Sequence, residues 1–102
     1  MSLQIAFKQK MEVGSLLREY AEEQTKKLEE HFGLDFSVTW SFENDHLFRV
    51  THCHLLGKNM NYFAESSRAN FISSIDEILH ELKKQLKRNR DLKRKRVTHA
   101  AY

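Results

Sequence analysis

The chain of 102 residues has no proline, three glycines and one cysteine. Without proline, no ring locks φ or deletes a backbone donor, so nothing of that kind interrupts a long helix or strand. Gly14, Gly33 and Gly57 stand far apart, which excludes a glycine-rich loop of the kind that cradles phosphates. The single cysteine, Cys53, has no internal disulfide partner, which fits a reducing compartment. No apolar run approaches the roughly 20 residues that span a bilayer, so no membrane partner is expected. The opening MSLQIAFKQK lacks the apolar core of a signal peptide, and the expectation is a cytoplasmic protein that keeps its N-terminus.

What remains suits one folded domain with a modest core: hydrophobic residues make up 40% of the chain and charged residues 30%. The formal net charge of +3 conceals a strong polarity. Residues 83–96 carry nine basic groups and one acid, a local charge of +8, and the rest of the chain is left at −5. A run this dense against an acidic body points to a polyanionic partner approached in a preferred orientation, with nucleic acid the leading class.

The basic run forms the second half of a long helical pattern beginning at Asn70. Phe71, Ile75, Ile78, Leu79, Leu82 and Leu86 recur at three- and four-residue spacing and share one helix face. Asn70 is placed to cap the first turn. An earlier helix is expected from Gly14 or Ser15 to Phe32, with Leu17, Tyr20, Ala21, Leu28 and Phe32 on its apolar face, a lone polar interruption at Gln24, and Gly33 as the left-handed residue that ends it. Leu3–Phe7 alternates as a short strand, and Lys8–Glu12 reads as a polar connection. Asp35–Glu43 alternates strictly, with Phe36, Val38, Trp40 and Phe42 on the face to be buried. Asn44-Asp45 is expected to turn the chain into a strand over Leu47–Leu56, and Gly57–Asn59 into a last strand over Met60–Ser66. The order is β-α-β-β-β-α, an α+β fold with both helices on one face of a four-stranded sheet. Residues 1–92 form the domain and residues 93–102 a basic, flexible tail.

Candidate chemistry is sparse. His52 and His54 share a strand face, but an H-x-H pair is too small for a closed zinc site, and two polar side chains on the open face of a sheet explain it as well. Alternation puts Cys53 on the opposite face, away from an activating imidazole. Glu22, Glu23, Glu29 and Glu30 lie on an exposed helix face as partners for Lys26 and Lys27, not as an acid–base pair in a cleft. Trp40 and the alternating phenylalanines read as core, leaving an open sheet face without an exposed aromatic row. No enzyme, metal, cofactor or small-molecule substrate is expected. RNA contact would then come from basic helix positions reaching phosphates.

The long helix also carries a family resemblance. Ile75-Asp76, Leu82, Lys84, Gln85-Leu86, Arg88 and Arg90 resemble the second helix of the short ribosome hibernation-promoting factors and ribosome-associated inhibitors, the sigma-factor modulation or S30EA-like family. Leu17-Arg18-Glu19-Tyr20, Lys27-Leu28-Glu29 and Phe32 are similar to its first helix. The likeness covers residues 3–92 and departs at Asn70-Phe71-Ile72, where the family opens with Asp-Met-Tyr. It implies a double-stranded-RNA-binding-domain-like fold. It also implies a non-catalytic role: binding the small ribosomal subunit and its ribosomal RNA in the messenger and transfer RNA channel, inhibiting translation and stabilising idle ribosomes under stress. Carried across, Lys27, Lys84, Arg88 and Arg90 match basic family positions, while Lys83 and Lys87 are included on charge alone. The long form's C-terminal dimerisation domain is absent from the resemblance, so a monomer is expected on the ribosome. Arg18 reads equally as a contact or as an ion-pair partner of Glu22. A competing reading from another class makes the chain a protein-interaction regulator, with its acidic first helix docking a basic partner.

Overall fold

The computed structural model describes residues 2–8, 14–33 and 35–100, with 91–100 described by backbone alone. The elements are β1 (Ser2–Phe7), α1 (Gly14–Phe32), β2 (Phe36–Asp45), β3 (Phe48–Gly57), β4 (Met60–Arg68) and α2 (Phe71–Ala100). They form one sheet in the order β1-β2-β3-β4, with β1 parallel to β2 and the other neighbours antiparallel. This is the α+β arrangement expected from the sequence. Most of the connection expected over Lys8–Glu12 lies outside the described residues, and so do the side chains on which a flexible 93–102 tail would be judged.

Period-two alternation dictates which face is buried. Phe36, Val38, Trp40 and Phe42 all point to one side and are at most 3% exposed. Register then assigns the neighbouring strands. Trp40 pairs with Cys53 and Cys53 with Ala64, while Val38 pairs with Leu55 and Leu55 with Tyr62. Cys53 therefore lies in the core, opposite His52 and His54, and burial pushes its thiol pKa well above the ordinary value. The helices cover this face, α1 over β1 and β2, α2 over β3 and β4. Phe71, Ile75, Ile78, Leu79, Leu82 and Leu86 are all buried, so the stripe read from the sequence is the stripe that docks. Phe42 joins both ends of the core. Its ring stacks on Phe7 at 5.4 Å and meets the edge of Phe71 at 5.5 Å.

The helix ends follow local chemistry. Asn70 Oδ1 accepts from the Ser73 N–H at 2.8 Å, which satisfies a donor of the first turn. Gly33 adopts φ +62 and donates its N–H to the Glu29 carbonyl at 2.8 Å, a left-handed cap that a Cβ would oppose.

Polar groups tie the layers together where the sequence showed no signal. Thr25 is 1% exposed on α1. Its hydroxyl donates to the Ala21 carbonyl at 2.6 Å and accepts the Trp40 indole N–H at 3.0 Å. Ser74 of α2 donates to the Ser66 carbonyl of β4 at 3.0 Å. Arg68 of β4 pairs with Glu77 of α2. Tyr20 of α1 donates to Asp76 Oδ1 of α2 at 2.5 Å, which bridges the two helices directly.

One expectation is corrected and another is refined. The first hairpin turns at His46-Leu47, not at Asn44-Asp45. Asn44 and Asp45 instead continue the ladder opposite Arg49 and Phe48, and His46 takes the left-handed backbone at φ 55. The register imposed by the buried alternation outweighs the turn preference of the Asn-Asp pair. The open sheet face, expected to lack an aromatic row, does carry an exposed aromatic. Phe63 is 57% exposed, its ring 5.9 Å from that of His52 and 6.3 Å from that of His54. Tyr62 takes the inward position, and the pleat turns Phe63 out.

Candidate nucleic-acid interface

The cationic residues lie along the seam where α1 meets α2. The seam exists because each helix buries one stripe against the sheet and leaves its flank beside the other helix, with the Tyr20–Asp76 hydrogen bond fixing one end. That bond pushes the Tyr20 phenol up to about 12, because Asp76 accepts its proton and would repel a phenolate.

Beyond this bridge, two adjoining depressions open along the seam. One, of about 280 Å³, is lined by Gln24, Lys27, Leu28, His31, Leu79 and Lys83. The other, of about 270 Å³, is lined by His31, Phe32, His80, Lys83, Lys84, Lys87 and Arg90. His31 and Lys83 border both. Of the six cations expected from sequence, the fold gathers five here: Lys27 from α1 with Lys83, Lys84, Lys87 and Arg90 from α2. Arg88 is exposed on α2 but lines neither depression.

The charge on this seam is largely unneutralised. Among the described residues, Lys83, Lys84, Lys87 and Arg88 form no ion pair. Lys83 and Lys87, and Lys84 and Arg88, are like charges four residues apart, each pair costing the helix about 0.2–0.5 kcal/mol. An arriving polyanion converts that repulsion into attraction. Lys27 is paired with Glu23 at 3.4 Å, but both side chains are about 60% exposed, so the pair is worth at most about 0.5 kcal/mol and yields readily to a phosphate. Arg90 is half-buried, its guanidinium 5.3 Å from the centre of the Phe32 ring. Its Nε has no hydrogen-bond acceptor among the described residues.

Six lining residues escaped the sequence reading as site residues: Gln24, Leu28, His31, Phe32, Leu79 and His80. A signal existed for two of them. His80 precedes Lys83 and Lys84 by three and four residues, so it shares their helix face, and His31 follows Lys27 by four. Gln24 was legible only as a break in an apolar stripe. Arg18, left open between two roles, places its guanidinium 5.6 Å from the Phe7 ring centre.

On the other face, His52 Nδ1 lies 3.7 Å from Glu65 and His54 Nε2 lies 2.6 Å from Asn61 Oδ1. Among the described residues, no three His, Cys, Asp or Glu side chains are placed to hold a metal ion, and no helix is long and apolar enough to cross a membrane.

The fold is thus a four-stranded sheet backed by two helices, with cations gathered between the helices and the thiol sealed in the core. Residues 3–94 match the family described as Sigma 54 modulation protein / S30EA ribosomal protein, and the chain belongs to that family. Its fold is shared with the Protein Y N-terminal domain of Thermus thermophilus, at a TM-score of 0.76 and 16% identity over 86% of this chain and 98% of that one. It is likewise shared with a ribosomal subunit interface protein from Coxiella burnetii, at a TM-score of 0.74 and 16% identity over 89% of this chain and 99% of that one. At such identity the likeness is one of fold. No curated protein sequence matches the chain significantly.

Proposed function

We propose that this chain is a non-enzymatic, cytoplasmic ribosome-binding factor. It acts as a monomer, lays the α1–α2 seam on ribosomal RNA of the small subunit, occupies the messenger and transfer RNA channel, and inhibits translation so that idle ribosomes persist under stress. The observation that carries the reading is the convergence of Lys27, Lys83, Lys84, Lys87 and Arg90 from two helices onto one seam, in a member of a ribosome-associated family. Arg88, exposed further round α2, serves as an auxiliary phosphate contact.

The cations do the binding by displacing counterions from phosphates. The fold supplies rigidity, because Lys83, Lys84 and Lys87 project from a stretch of helix whose apolar stripe, Leu79, Leu82 and Leu86, is buried. The test is co-sedimentation with isolated small subunits at low and moderate salt. Wild type is expected to travel with the subunit at low salt, and a Lys83→Glu, Lys84→Glu, Lys87→Glu variant to stay at the top of the gradient. Unchanged co-sedimentation of the variant refutes the seam as the interface. In a reconstituted translation system, inhibition should weaken when subunits are first loaded with messenger and initiator transfer RNA. Equal inhibition of loaded ribosomes refutes channel occupancy.

A further inference from the structure

We infer that the depression bordered by Gln24, Leu28, His31 and Leu79 is a pocket for one unpaired RNA base, with the flanking phosphates held by Lys27 and Lys83. The inference rests on the RNA-binding reading above and goes further, since phosphate contact alone requires only exposed charge.

Three features set this depression apart from a merely cationic surface. Its floor is apolar: Leu28 and Leu79, one from each helix, line it and are 2% and 5% exposed. Its wall carries Gln24, a half-buried polar side chain of α1. A side-chain amide offers donors and an acceptor together, which is what the edge of a base requires. Its rim carries Lys27 and Lys83 on opposite helices, so an anion can be held on either side of the opening. A base has apolar faces, a polar edge and an anionic backbone, and the depression supplies a counterpart to each. The volume of about 280 Å³ lies at the bottom of the range for ligand sites, which suits a single base better than a larger ligand.

The adjoining depression continues the same logic. His31 meets Phe32 edge-on at 4.8 Å, and the Arg90 guanidinium lies over the Phe32 ring at 5.3 Å, its Nε without an acceptor among the described residues. Together with Lys84 and Lys87 these groups form a platform for the neighbouring nucleotide. The RNA recognised is therefore a bulge, loop or end whose bases are splayed from the stack, not a continuous duplex.

The experiment compares two RNA hairpins of equal length and charge, one fully paired and one with a single bulged 2-aminopurine. Binding of the full chain is followed by anisotropy across a salt series, and the 2-aminopurine fluorescence is followed in parallel. Wild type is expected to bind the bulged hairpin about tenfold or more tightly, with a change in 2-aminopurine emission as the base enters the pocket. Gln24→Phe fills the depression without changing charge, and should abolish the preference while leaving the salt slope intact. Gln24→Ala, a milder change, should weaken the preference in the same direction. Near-UV circular dichroism of Trp40 reports whether each variant is folded. Equal affinity of wild type for both hairpins overturns the pocket while leaving the charged seam in place. A preference that survives Gln24→Phe in a folded protein overturns it as well. Failure of wild type to bind either hairpin at low salt overturns both the pocket and the RNA-binding reading.

Discussion

Neutralising the seam should change the salt dependence of ribosome binding by a calculable amount. Each phosphate neutralised contributes about −0.7 to −0.9 to the slope of log K against log salt. Five seam cations, Lys27, Lys83, Lys84, Lys87 and Arg90, each meeting one phosphate, give a slope of about −3.5 to −4.5. Raising salt from about 50 to 200 mM is then expected to weaken binding on the order of 10²–10³-fold. Lys83 borders both depressions and is unpaired, so Lys83→Ala should remove about one contact and flatten the slope by about 0.7–0.9. Arg88→Ala should flatten it by less than half as much, because Arg88 lines neither depression. Lys58, exposed in the β3–β4 turn, is the control and should leave it unchanged. The assay is filter binding of labelled protein to purified small subunits across the salt series. Equal flattening by Lys83→Ala, Arg88→Ala and Lys58→Ala would refute the reasoning, since it would mean that net charge, not the seam, governs binding.

Four further outcomes concern contacts within the fold. Thr25→Val keeps the side-chain shape but leaves the Trp40 indole N–H unpaired in a fully buried site, which should cost about 1–3 kcal/mol and lower the thermal midpoint on the order of 10 °C; an unchanged midpoint would show that the indole finds another acceptor. Tyr20→Phe removes the bridge between the helices and should cost about 1 kcal/mol near neutral pH. Because the Tyr20 phenol is pushed up to about 12, its contribution is complete below about pH 10 and lost as pH rises toward 12, so urea titrations of wild type and Tyr20→Phe should converge over that interval. Cys53, fully buried and with its thiol pushed up, should react with a maleimide only as fast as the protein opens, and rapid labelling of the native state would contradict its placement. Asn70→Ala removes the acceptor for the Ser73 N–H and should cost about 1 kcal/mol by chemical denaturation, with no effect on the salt slope.

The elements of this fold were legible because their signals are local and periodic. Strict alternation from Phe36 to Phe42 required a sheet with one covered face, and the spacing from Phe71 to Leu86 required a helix to cover it. Asn70 and Gly33 marked helix ends through chemistry confined to a single turn. Where a local signal competed with a longer-range one it misled. Asn44-Asp45 has turn character, yet the ladder between β2 and β3 carries it two residues onward to His46-Leu47. Phe63 and Tyr62 are adjacent aromatics, and only pairing with Leu55 decides that Tyr62 turns inward.

The same division runs through the candidate site. Sequence alone determined the α+β order of elements, the concentration of positive charge late in the second helix, and that Cys53 points away from the histidines. Those properties depend on composition and on periods of two and 3.6 residues, which any short window contains. Tertiary structure decided that Lys27 stands across from Lys83, that Arg90 lies against Phe32 while Arg88 does not reach the seam, and that Gln24 and His31 complete a depression floored by Leu28 and Leu79. Lys27 and Lys83 lie in separate helices joined through three strands. Their proximity depends on how both apolar stripes dock on one sheet, a packing result that no local pattern encodes.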